Sequence, residues 1–476
     1  MKFFITNQKT LFEDEYIKSC TIQHCVDYFS NEKIIEVDTE TEFCTWDINI
    51  DPLKRRLPDP YTSKVLTLQL GNRFNQFVID CESVDFIPYV KPLFENPNIL
   101  KIFTNAFFDL RFIFHWGINT KNICDIFLNE IILTRGLTKP KGYRSLGGMT
   151  ERYLGIKLNK EVREEIQTRG LDTTVIMYAS EDVRYMSRIK ELQDVELMKQ
   201  NLHKYAELES RYIISLARTS YKGFKLNKEK WLKVEAANKM LLRKYINDLD
   251  EWVIQNAPQK DTLFPICTIK WTSSEQVVPF MKSLGIDVEV PDKDKGGIKE
   301  SVEIKLLLKQ LDKSPILPLY IKFKEVSKEL TTYGSKFLIK NLNPVTKKVH
   351  SEFYPILDTG RISSNKPNIQ NIPGEQEGHT HPLRLAFEPF HDVFIVADYS
   401  QQEPRITADK CQDPYLIDFV LNGDGDSHSL IATMISSYLL GKEIKVSKTN
   451  NPFVGAYGKT IRAIGKTINL GLKYNI

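Results

Sequence analysis

The spacing of apolar residues divides the chain into a front part of alternating elements and a mostly helical rear part. Residues 33–37 and 65–71 are apolar runs typical of strands, whereas residues 105–116 and 174–192 carry apolar side chains at helical spacing. Strands that alternate with helices are typical of an α/β domain, which this pattern predicts for the beginning of the chain.

Helical spacing dominates the middle of the chain. Residues 192–256 form a charged helical pattern that is interrupted at residues 221–227, and a second helical run covers residues 300–342 after a polar stretch at residues 288–299. Turn-forming glycines and prolines follow, and the apolar residues 393–397 predict one further strand. A chain of 476 residues is long enough for about three domains.

Composition excludes several classes of protein. With 42% hydrophobic and 26% charged residues, the chain has the make-up of a soluble globular protein, and it contains no run of about 18 apolar residues that could span a membrane. The first residues become polar too early for a secretory signal. Seven cysteines that never form Cys-x-x-Cys argue against a zinc site and a disulfide framework. We therefore expect a cytoplasmic protein without a membrane partner.

Positive charge is concentrated at the end of the chain. Residues 436–476 contain seven Lys or Arg residues against the single acid Glu443, so this segment carries +6 in a chain of net charge +4. Such a block is usually a solvated surface, but it also fits a polyanionic partner such as a nucleic acid.

Three short motifs in the first 190 residues carry clustered acids. Asp38 and Glu40 are two residues apart at the end of a strand pattern, so their side chains lie on one face. Asp109 lies on a helical pattern, and Tyr178 and Asp182 are four residues apart on one helix face. Four carboxylates at one site would repel one another strongly unless cations lie between them. The chemistry that fits is phosphodiester hydrolysis with two divalent ions about 4 Å apart, in which the tyrosine hydroxyl orients the attacking water.

Each motif alone also has an ordinary structural explanation. An Asp-x-Glu at a strand end is commonly a loop cap or a solvated pair, Asp109 fits the exposed side of an amphipathic helix, and Tyr178 fits a half-buried ring. The order and spacing of all three motifs, however, resemble the proofreading 3′–5′ exonucleases of the DEDD superfamily that have a tyrosine in the third motif. The resemblance covers residues 33–190 and includes residues 124–125 and 145–155.

This resemblance implies a fold and a site. The fold is a ribonuclease H-like α/β domain with a mixed sheet and helices. Carried over by position, the metal ligands are Asp38, Glu40, Asp109 and Asp182, and Tyr178 orients the water. The implied cofactor is Mg²⁺, two ions at the site, with Mn²⁺ as the substitute. The implied substrate is the 3′ end of single-stranded DNA.

A string of residues at 359–373, Thr-Gly-Arg-Ile-Ser-Ser-Asn-Lys-Pro-Asn-Ile-Gln-Asn-Ile-Pro, resembles the segment of family A DNA polymerases that grips the primer–template duplex. The resemblance implies that Arg361 reaches the minor groove and that Asn368, Gln370 and Asn371 contact the duplex. Base pairs offer acceptors at similar minor-groove positions, so such contacts check the shape of the pair without reading sequence. The alternative, a polar turn region, explains the composition but not the whole string.

The next motif follows the expected strand at 393–397. It resembles the first palm motif of family A, which implies that Asp398 binds both catalytic metals and that Glu403 excludes a ribose 2′-hydroxyl. Ser400 and Glu403 also match a helix-capping box, and both roles are compatible. Pro404 departs from the family pattern and removes a backbone donor from the first helical turn.

The basic end of the chain carries a regular pattern of side chains. Arg462, Lys466, Leu470 and Tyr474 recur every four residues, so one helix face presents two cations, an apolar residue and a ring. In isolation a basic amphipathic helix explains this pattern. After the preceding motifs it resembles the nucleotide-binding fingers helix of family A, which implies nucleotide binding by these four residues and by His428. Leu470 stands where the family has an aromatic residue.

The resemblance also implies a domain plan and partners. It predicts an exonuclease domain at residues 1–195, a thumb-like helical region at 196–340, and the first part of an α+β palm with the start of the fingers at 341–476. Because the sequence ends before the family's second palm carboxylate, we expect one piece of a split polymerase that does not extend primers alone. The expected partners are DNA primer–template, dNTPs once the site is complete, and a second polypeptide with the rest of palm and fingers. The layout resembles bacteriophage polymerases, which predicts the host cytoplasm as the location.

Two other functions stay open from the sequence alone. One is a stand-alone 3′–5′ DNA exonuclease whose rear half is a DNA-binding platform. The other is a DNA-binding subunit that only scaffolds a partner. The clustered acids argue against the scaffold, because they are unfavourable beside DNA unless they bind cations.

Overall fold

The computed structural model divides the chain into two compact units. Residues 1–228 with 337–388 form the first unit, and residues 229–336 with 389–476 form the second. The predicted division into three domains stays a prediction. The described residues are 1–8, 16–42, 58–158, 170–256, 267–292, 296–357, 359–374, 383–422, 426–441, 445–447, 450, 453–454, 459–462, 464–466 and 468.

The described strands are short, with few longer than five residues. In chain order they are β1 Lys2–Ile5, β2 Ile17–Ser19, β3 Ile34–Thr41, β4 Val65–Gly71, β5 Gln76–Asp80, β6 Leu100–Phe103, β7 Ile123–Asp125, β8 Phe224–Leu226, β9 Glu289–Pro291, β10 Ile298–Glu300, β11 Lys348–Val349, β12 Glu352–Tyr354, β13 Ser363–Asn365, β14 Phe387–Glu388, β15 Phe453–Val454 and β16 Lys459–Thr460.

The described helices follow the strands in the first unit and dominate the second. In chain order they are α1 Ile22–Ser30, α2 Ile87–Glu95, α3 Ala106–His115, α4 Ile126–Leu133, α5 Leu146–Leu154, α6 Thr173–Asp182, α7 Met186–Lys199, α8 His203–Lys222, α9 Lys228–Asn256, α10 Ser274–Ser283, α11 Ile304–Leu307, α12 Ile316–Tyr333, α13 Ser335–Asn341, α14 Gln402–Cys411, α15 Pro414–Asn422 and α16 Ser427–Leu440.

The first unit is built on a seven-stranded mixed sheet with the strand order β2-β1-β5-β4-β3-β6-β7. Strand β4 runs antiparallel to both neighbours, β3 and β5, and the other neighbouring strands are parallel. The link between β4 and β5 is short enough for an antiparallel hairpin, whereas parallel neighbours need crossovers of about a dozen residues. The predicted α/β fold with a mixed sheet is confirmed.

Helices cover both faces of this sheet. Along β3, Ile35 and Val37 face the core that contains α3 and α8. Ile34, on the other side of the strand, packs against the core formed with Met186 and Ile189 of α7. Because both faces are buried, the strands carry apolar residues at consecutive positions, which is why they were recognisable as continuous apolar runs.

The helical pattern at residues 174–192 forms two helices rather than one. Helix α6 ends at Asp182, and α7 begins at Met186 after a three-residue break. The break lets α6 contact β4 and β5 while α7 contacts β3 and β6. Apolar periodicity continues across the break, so the sequence pattern did not reveal it.

The second unit is largely helical, as the sequence pattern predicted for the middle of the chain. The long helices α9 and α12 share one core with α10. The indole N–H of Trp231, a fully buried side chain, donates to the carbonyl of Tyr333 at 2.8 Å and joins the start of α9 to the end of α12. Other members of this core are Leu249, Val253, Trp271, Val277, Leu317 and Tyr320.

The predicted strand at residues 393–397 is wrong for this structure. Residues 391–400 adopt no strand or helix and are all exposed. Within the described part of the chain, no strand pairs with this segment. A strand needs a hydrogen-bonded neighbour, so the apolar pattern alone does not produce one. Ile395 and Val396 are consequently 94% and 88% exposed.

Two exclusions hold for the described residues. None of the helices found there is long and apolar enough to cross a membrane. The six cysteines that the structure describes, Cys20, Cys25, Cys81, Cys124, Cys267 and Cys411, are free. Disulfides therefore do not stabilise this part of the chain.

Candidate active site

Strand β3 carries two of the predicted site residues in the middle of the sheet. Asp38 and Glu40 pair with Gln69 and Thr67 of the antiparallel strand β4. The parallel partner β6 pairs with β3 only as far as Glu36. Asp38 and Glu40 therefore lie just past the end of β6, on one face of a strand whose backbone is still fixed from the other side.

Helix α6 brings a third carboxylate to this pair. The side chain of Asp172 caps α6 by accepting from the Val175 N–H at 2.8 Å. Asp182 is the last residue of the helix and is 7% exposed. Carboxylate oxygens of Asp38, Glu40 and Asp182 all lie within 4.8 Å of one another. The structure thus joins acids from the first and third sequence motifs.

Asp109 contacts the segment between Asp38 and Glu40 from the opposite face of the sheet. It lies in the first turn of α3 and is 2% exposed. The hydroxyl of Thr39 donates to Asp109 Oδ1 at 2.6 Å. Because side chains alternate along a strand, Thr39 faces α3, whereas its neighbours Asp38 and Glu40 face the other side of the sheet. Asp109 is thereby attached to the segment that bears Asp38 and Glu40, and its role as a metal ligand stays a prediction.

Tyr178 lies one turn before Asp182 on α6 and is half-buried. The spacing of four residues places both side chains on the same side of the helix. Its proposed contact with the attacking water stays a prediction.

Asp125 fixes the helix that carries Asp109. Its carboxylate accepts from the backbone N–H groups of Asn105 and Ala106, at 2.9 and 2.8 Å, and from Phe127 at 2.9 Å. It therefore caps α3 and α4 at once. Burial raises the pKa of Asp125 to about 6, although these backbone hydrogen bonds act in the opposite direction. The sequence resemblance included Cys124 and Asp125, but it did not indicate that Asp125 caps two helices.

Glu36 is another buried acid, and it lies outside the predicted set of site residues. Its carboxylate is fully buried and accepts from the N–H groups of Met186 and Ser187, at 2.8 and 3.0 Å, and from the Ser187 hydroxyl. Burial raises the pKa of Glu36 above its ordinary value, and the hydrogen bonds from Ser187 and Met186 offset this rise only in part. The sequence contains one signal for a role of Glu36: Glu36, Asp38 and Glu40 occupy alternate positions of one strand.

Gly71 permits a close approach at the end of α6. A Cβ atom at residue 71 would lie 2.1 Å from the carbonyl oxygen of Val183, which directly follows Asp182. Real Cβ contacts do not occur at this distance, so any larger residue would displace the strand or the helix end. The close contact requires glycine at this position. The backbone conformation does not, since residue 71 belongs to a strand.

The polymerase-like string at 359–373 is a folded turn in the first unit. Strand β13 within it pairs antiparallel with β12. Asn368 Oδ1 accepts from the N–H groups of Gln370 and Asn371, at 3.1 and 3.2 Å. The Arg361, Asn368, Gln370 and Asn371 side chains are exposed. The string therefore stabilises its own turn, and its predicted DNA contacts stay a prediction.

The residues around Asp398 differ from the sequence expectation. Asp398 is exposed in the irregular segment described above. Helix α14 has Gln401 at its N-cap, with φ of 53°, and no side-chain cap hydrogen bond. Ser400 therefore lies one residue before the N-cap position that the predicted capping box with Glu403 requires.

Arg462, one of the predicted nucleotide-binding residues of the second unit, forms an ion pair with Asp426. Arg462 donates to both carboxylate oxygens of Asp426, at 2.8 and 3.0 Å. Helix α16, which starts at residue 427 and includes His428, packs closely here, since a Cβ at Gly465 would lie 2.5 Å from the His428 carbonyl oxygen. Lys466 is exposed. Leu470 and Tyr474 lie outside the described residues.

Two family profiles match the chain. The profile described as DNA polymerase family A matches residues 242–476, and the profile described as 3′–5′ exonuclease matches residues 29–195. The second match contains the acids that the structure gathers.

Two relatives and one solved structure are similar to this chain. DNA polymerase I of Borreliella burgdorferi is 34% identical over 193 residues, which is 40% of this chain and 19% of the relative. DNA polymerase I of Aquifex aeolicus is 26% identical over 437 residues, which is 87% of this chain and 67% of the relative. The POL domain of Pol1 from M. smegmatis in complex with DNA primer-template and dNTP has a TM-score of 0.66 at 19% identity, covering 96% of this chain and 70% of that chain. The chain thus spans only part of the length of each.

Replacing Gly71 by alanine is expected to disturb the carboxylate cluster. The added Cβ forces Val183 away and shifts Asp182 relative to Asp38, so Mn²⁺ binding, followed by electron paramagnetic resonance, should weaken by about tenfold or more. Gly117→Ala is the control, because a Cβ there meets no atom within 4 Å although φ is +73°. Equal Mn²⁺ affinity in both variants would contradict the account of Gly71.

Replacing Asp426 by asparagine is expected to destabilise the second unit in a pH-dependent way. Burial of Asp426 raises its pKa, but hydrogen bonds from Arg462 and Ser429 and the Arg462 charge outweigh burial and hold the pKa well below its ordinary value. The ion pair therefore contributes stability above the unfolded pKa of about 3.9 and loses it as the pH falls below that value.

Urea denaturation measures this effect. At pH 7 Asp426→Asn should cost about 2 kcal/mol, and the difference from the wild type should narrow between pH 5 and pH 3. Asp413→Asn is the control, since Asp413 is an exposed cap of Leu416. A difference that stays constant over this pH range would contradict the assignment.

Proposed function

This chain belongs to DNA polymerase family A and carries a 3′–5′ exonuclease domain, and we propose that its carboxylate cluster removes nucleotides from the 3′ ends of single-stranded DNA. The observation that carries the proposal is the convergence of Asp38, Glu40 and Asp182 oxygens within 4.8 Å of one another. Residues far apart in sequence meet there at the end of a central strand. A purely structural role does not require three like charges at one point.

The donor set fits hard divalent cations. Carboxylate oxygens are the ligands that Mg²⁺ and Mn²⁺ prefer, and among the described residues no thiol or imidazole belongs to the cluster. Asp38, Glu40 and Asp182 would hold the ions. Two bound ions would supply an activated water and charge stabilisation at the leaving oxygen. Mg²⁺ as the resident ion and a count of two are part of this proposal.

The protein's own residues provide positioning and charge. The strand pairing of Asp38 and Glu40 with β4 fixes two carboxylates, so little reorganisation is needed during hydrolysis. Tyr178, one turn from Asp182, is proposed to orient the attacking water through its hydroxyl. Asp109, which Thr39 holds, is proposed to complete the ligand set.

Removing the strand carboxylates tests this proposal. Asp38→Ala with Glu40→Ala should lower Mg²⁺-dependent digestion of a 3′-labelled single-stranded oligonucleotide by about 10²–10³-fold or more, because loss of one stabilising group already costs about that much. Chelation of divalent ions should stop digestion by the wild type as well.

The control removes two exposed acids from the same unit, Glu82→Ala with Asp85→Ala. This variant should digest DNA at the wild-type rate. If the Asp38 and Glu40 variant digests DNA as fast as the control, the site assignment is wrong.

We further propose that the rear half acts on primer–template DNA and dNTPs. Support comes from the family A match over residues 242–476 and from the structural neighbour, which is described as a complex with both ligands. Arg361, Asn368, Gln370 and Asn371 are proposed to contact the duplex, and Asp398 to bind metal. The nucleotide is assigned to Glu403, His428, Arg462, Lys466, Leu470 and Tyr474. A stand-alone exonuclease with a DNA-binding platform is less well supported, because it leaves this match without a role.

Exposed apolar residues before Asp398 support a further partner. Val393, Phe394, Ile395 and Val396 are 59–94% exposed, which is unfavourable in water and typical of a surface that another segment covers. We propose that strands from a second polypeptide pair with this segment and complete the palm. A bacteriophage origin stays a prediction.

Primer extension tests the second polypeptide. The purified chain should extend a primer by less than about 1% of the rate of its co-expressed complex with the product of the neighbouring reading frame. An Asp398→Ala complex is the control and should stay inactive. Extension by the chain alone at the rate of a complete polymerase would exclude the partner.

A further inference from the structure

We infer that Glu36 is a positioning residue of the exonuclease site, which holds Asp182 in register with Asp38 and Glu40. The inference rests on the proposed function of that cluster. Glu36 belongs to the strand that carries the cluster, yet its carboxylate is directed at the start of the helix after Asp182.

The start of helix α7 depends on Glu36 for its cap. Tyr185, the N-cap residue, makes no side-chain capping hydrogen bond. The first N–H groups of a helix have no partners within the helix and need acceptors from elsewhere. Glu36 accepts from Met186 N at 2.8 Å and from Ser187 N at 3.0 Å, and the Ser187 hydroxyl donates to it as well. A strand residue thus takes the place of a local cap.

The chain connects this cap to the cluster by short paths. Glu36 precedes Asp38 by two residues on the same strand face, and Met186 follows Asp182 by four residues. Only Val183, Arg184 and Tyr185 lie between the end of α6 and the start of α7. A displacement of Met186 from β3 therefore moves the end of α6, and with it the carboxylate of Asp182.

The neighbouring strand limits the same turn from another side. The missing side chain of Gly71 leaves room for the Val183 carbonyl, which would lie 2.1 Å from a Cβ there. Contact with Gly71 on β4 and the hydrogen bonds that Met186 and Ser187 donate to Glu36 on β3 together hold the turn at residues 183–186. Two adjacent strands thus fix the position of Asp182.

Glu36→Gln tests the inference with almost no change in size. The substitution replaces one acceptor oxygen by an NH₂ donor that faces other donors. We expect Mn²⁺ affinity, measured by electron paramagnetic resonance on the full chain, to fall 10–100-fold, the range typical for residues that orient metal ligands. Hydrogen exchange at the amides of Met186 and Ser187 should become faster. Ser187→Ala, which keeps Glu36, should weaken Mn²⁺ binding less but in the same direction.

Asp80→Asn is the matched control. Asp80 is also a buried carboxylate, and it accepts from the N–H groups of Glu82 and Ser83, at 3.1 and 3.3 Å, and from the Ser83 hydroxyl at 2.7 Å. It caps a turn that does not lead to Asp182. The control should lose thermal stability without a change in Mn²⁺ affinity, so it separates a general loss of stability from a loss of positioning.

The outcomes distinguish this inference from the proposed function. Unchanged Mn²⁺ affinity in Glu36→Gln, or an equal loss in Asp80→Asn, overturns the role of Glu36. If Glu36→Gln does not fold, the Mn²⁺ affinity of Ser187→Ala tests the role of Glu36 instead, and an unchanged affinity overturns it. Wild-type protein that binds Mn²⁺ but does not digest DNA overturns the proposed function. The Mn²⁺ affinities of the variants still test the role of Glu36 in that case. Mn²⁺ binding that survives Asp38→Ala with Glu40→Ala overturns both.

Discussion

Three carboxylates whose oxygens lie within 4.8 Å of one another repel, and much of the first unit holds them together against that repulsion. Strand β3 supplies two of them from the middle of the sheet, where pairing with β4 fixes the backbone. The third comes from the end of α6, whose position depends on the close contact at Gly71. Buried acids then act as helix caps, with Glu36 at the start of α7 and Asp125 at the start of α3. Bound cations would offset the remaining repulsion.

The polymerase-like string shares its core with the exonuclease domain. Phe353 and Ile356, just before the string, belong to the same apolar cluster as Phe107 of α3. The Phe107 and Phe353 rings meet edge to face at 6.4 Å. Within the string, Gly360 lies against Arg135, since a Cβ at Gly360 would lie 2.3 Å from the Arg135 guanidinium. The segment assigned to duplex binding is therefore part of the compact unit that carries the carboxylate cluster.

The sequence was most informative where local pattern and tertiary structure agree. The apolar run at residues 65–71 became β4 with the same bounds, and alternation along β3 correctly placed Asp38 and Glu40 on one face. It was least informative where the outcome depends on contacts distant in sequence. The break between α6 and α7 involves a cap by the Glu36 carboxylate, and residues 393–397 pair with none of the described strands and so form no strand themselves. Asp109 approaches from the opposite face through Thr39, which helical spacing alone does not reveal.

The proposed exonuclease activity depends on a divalent-metal site formed by Asp38, Glu40 and Asp182. Anomalous diffraction from crystals of the full chain soaked in Mn²⁺ tests it most directly, because the anomalous signal identifies and locates the ion. We expect an anomalous peak about 2 Å from oxygens of all three carboxylates in the wild type, and no such peak in the Asp38→Ala, Glu40→Ala variant. At saturating Mn²⁺, the absence of a peak at these carboxylates in the wild type would contradict it.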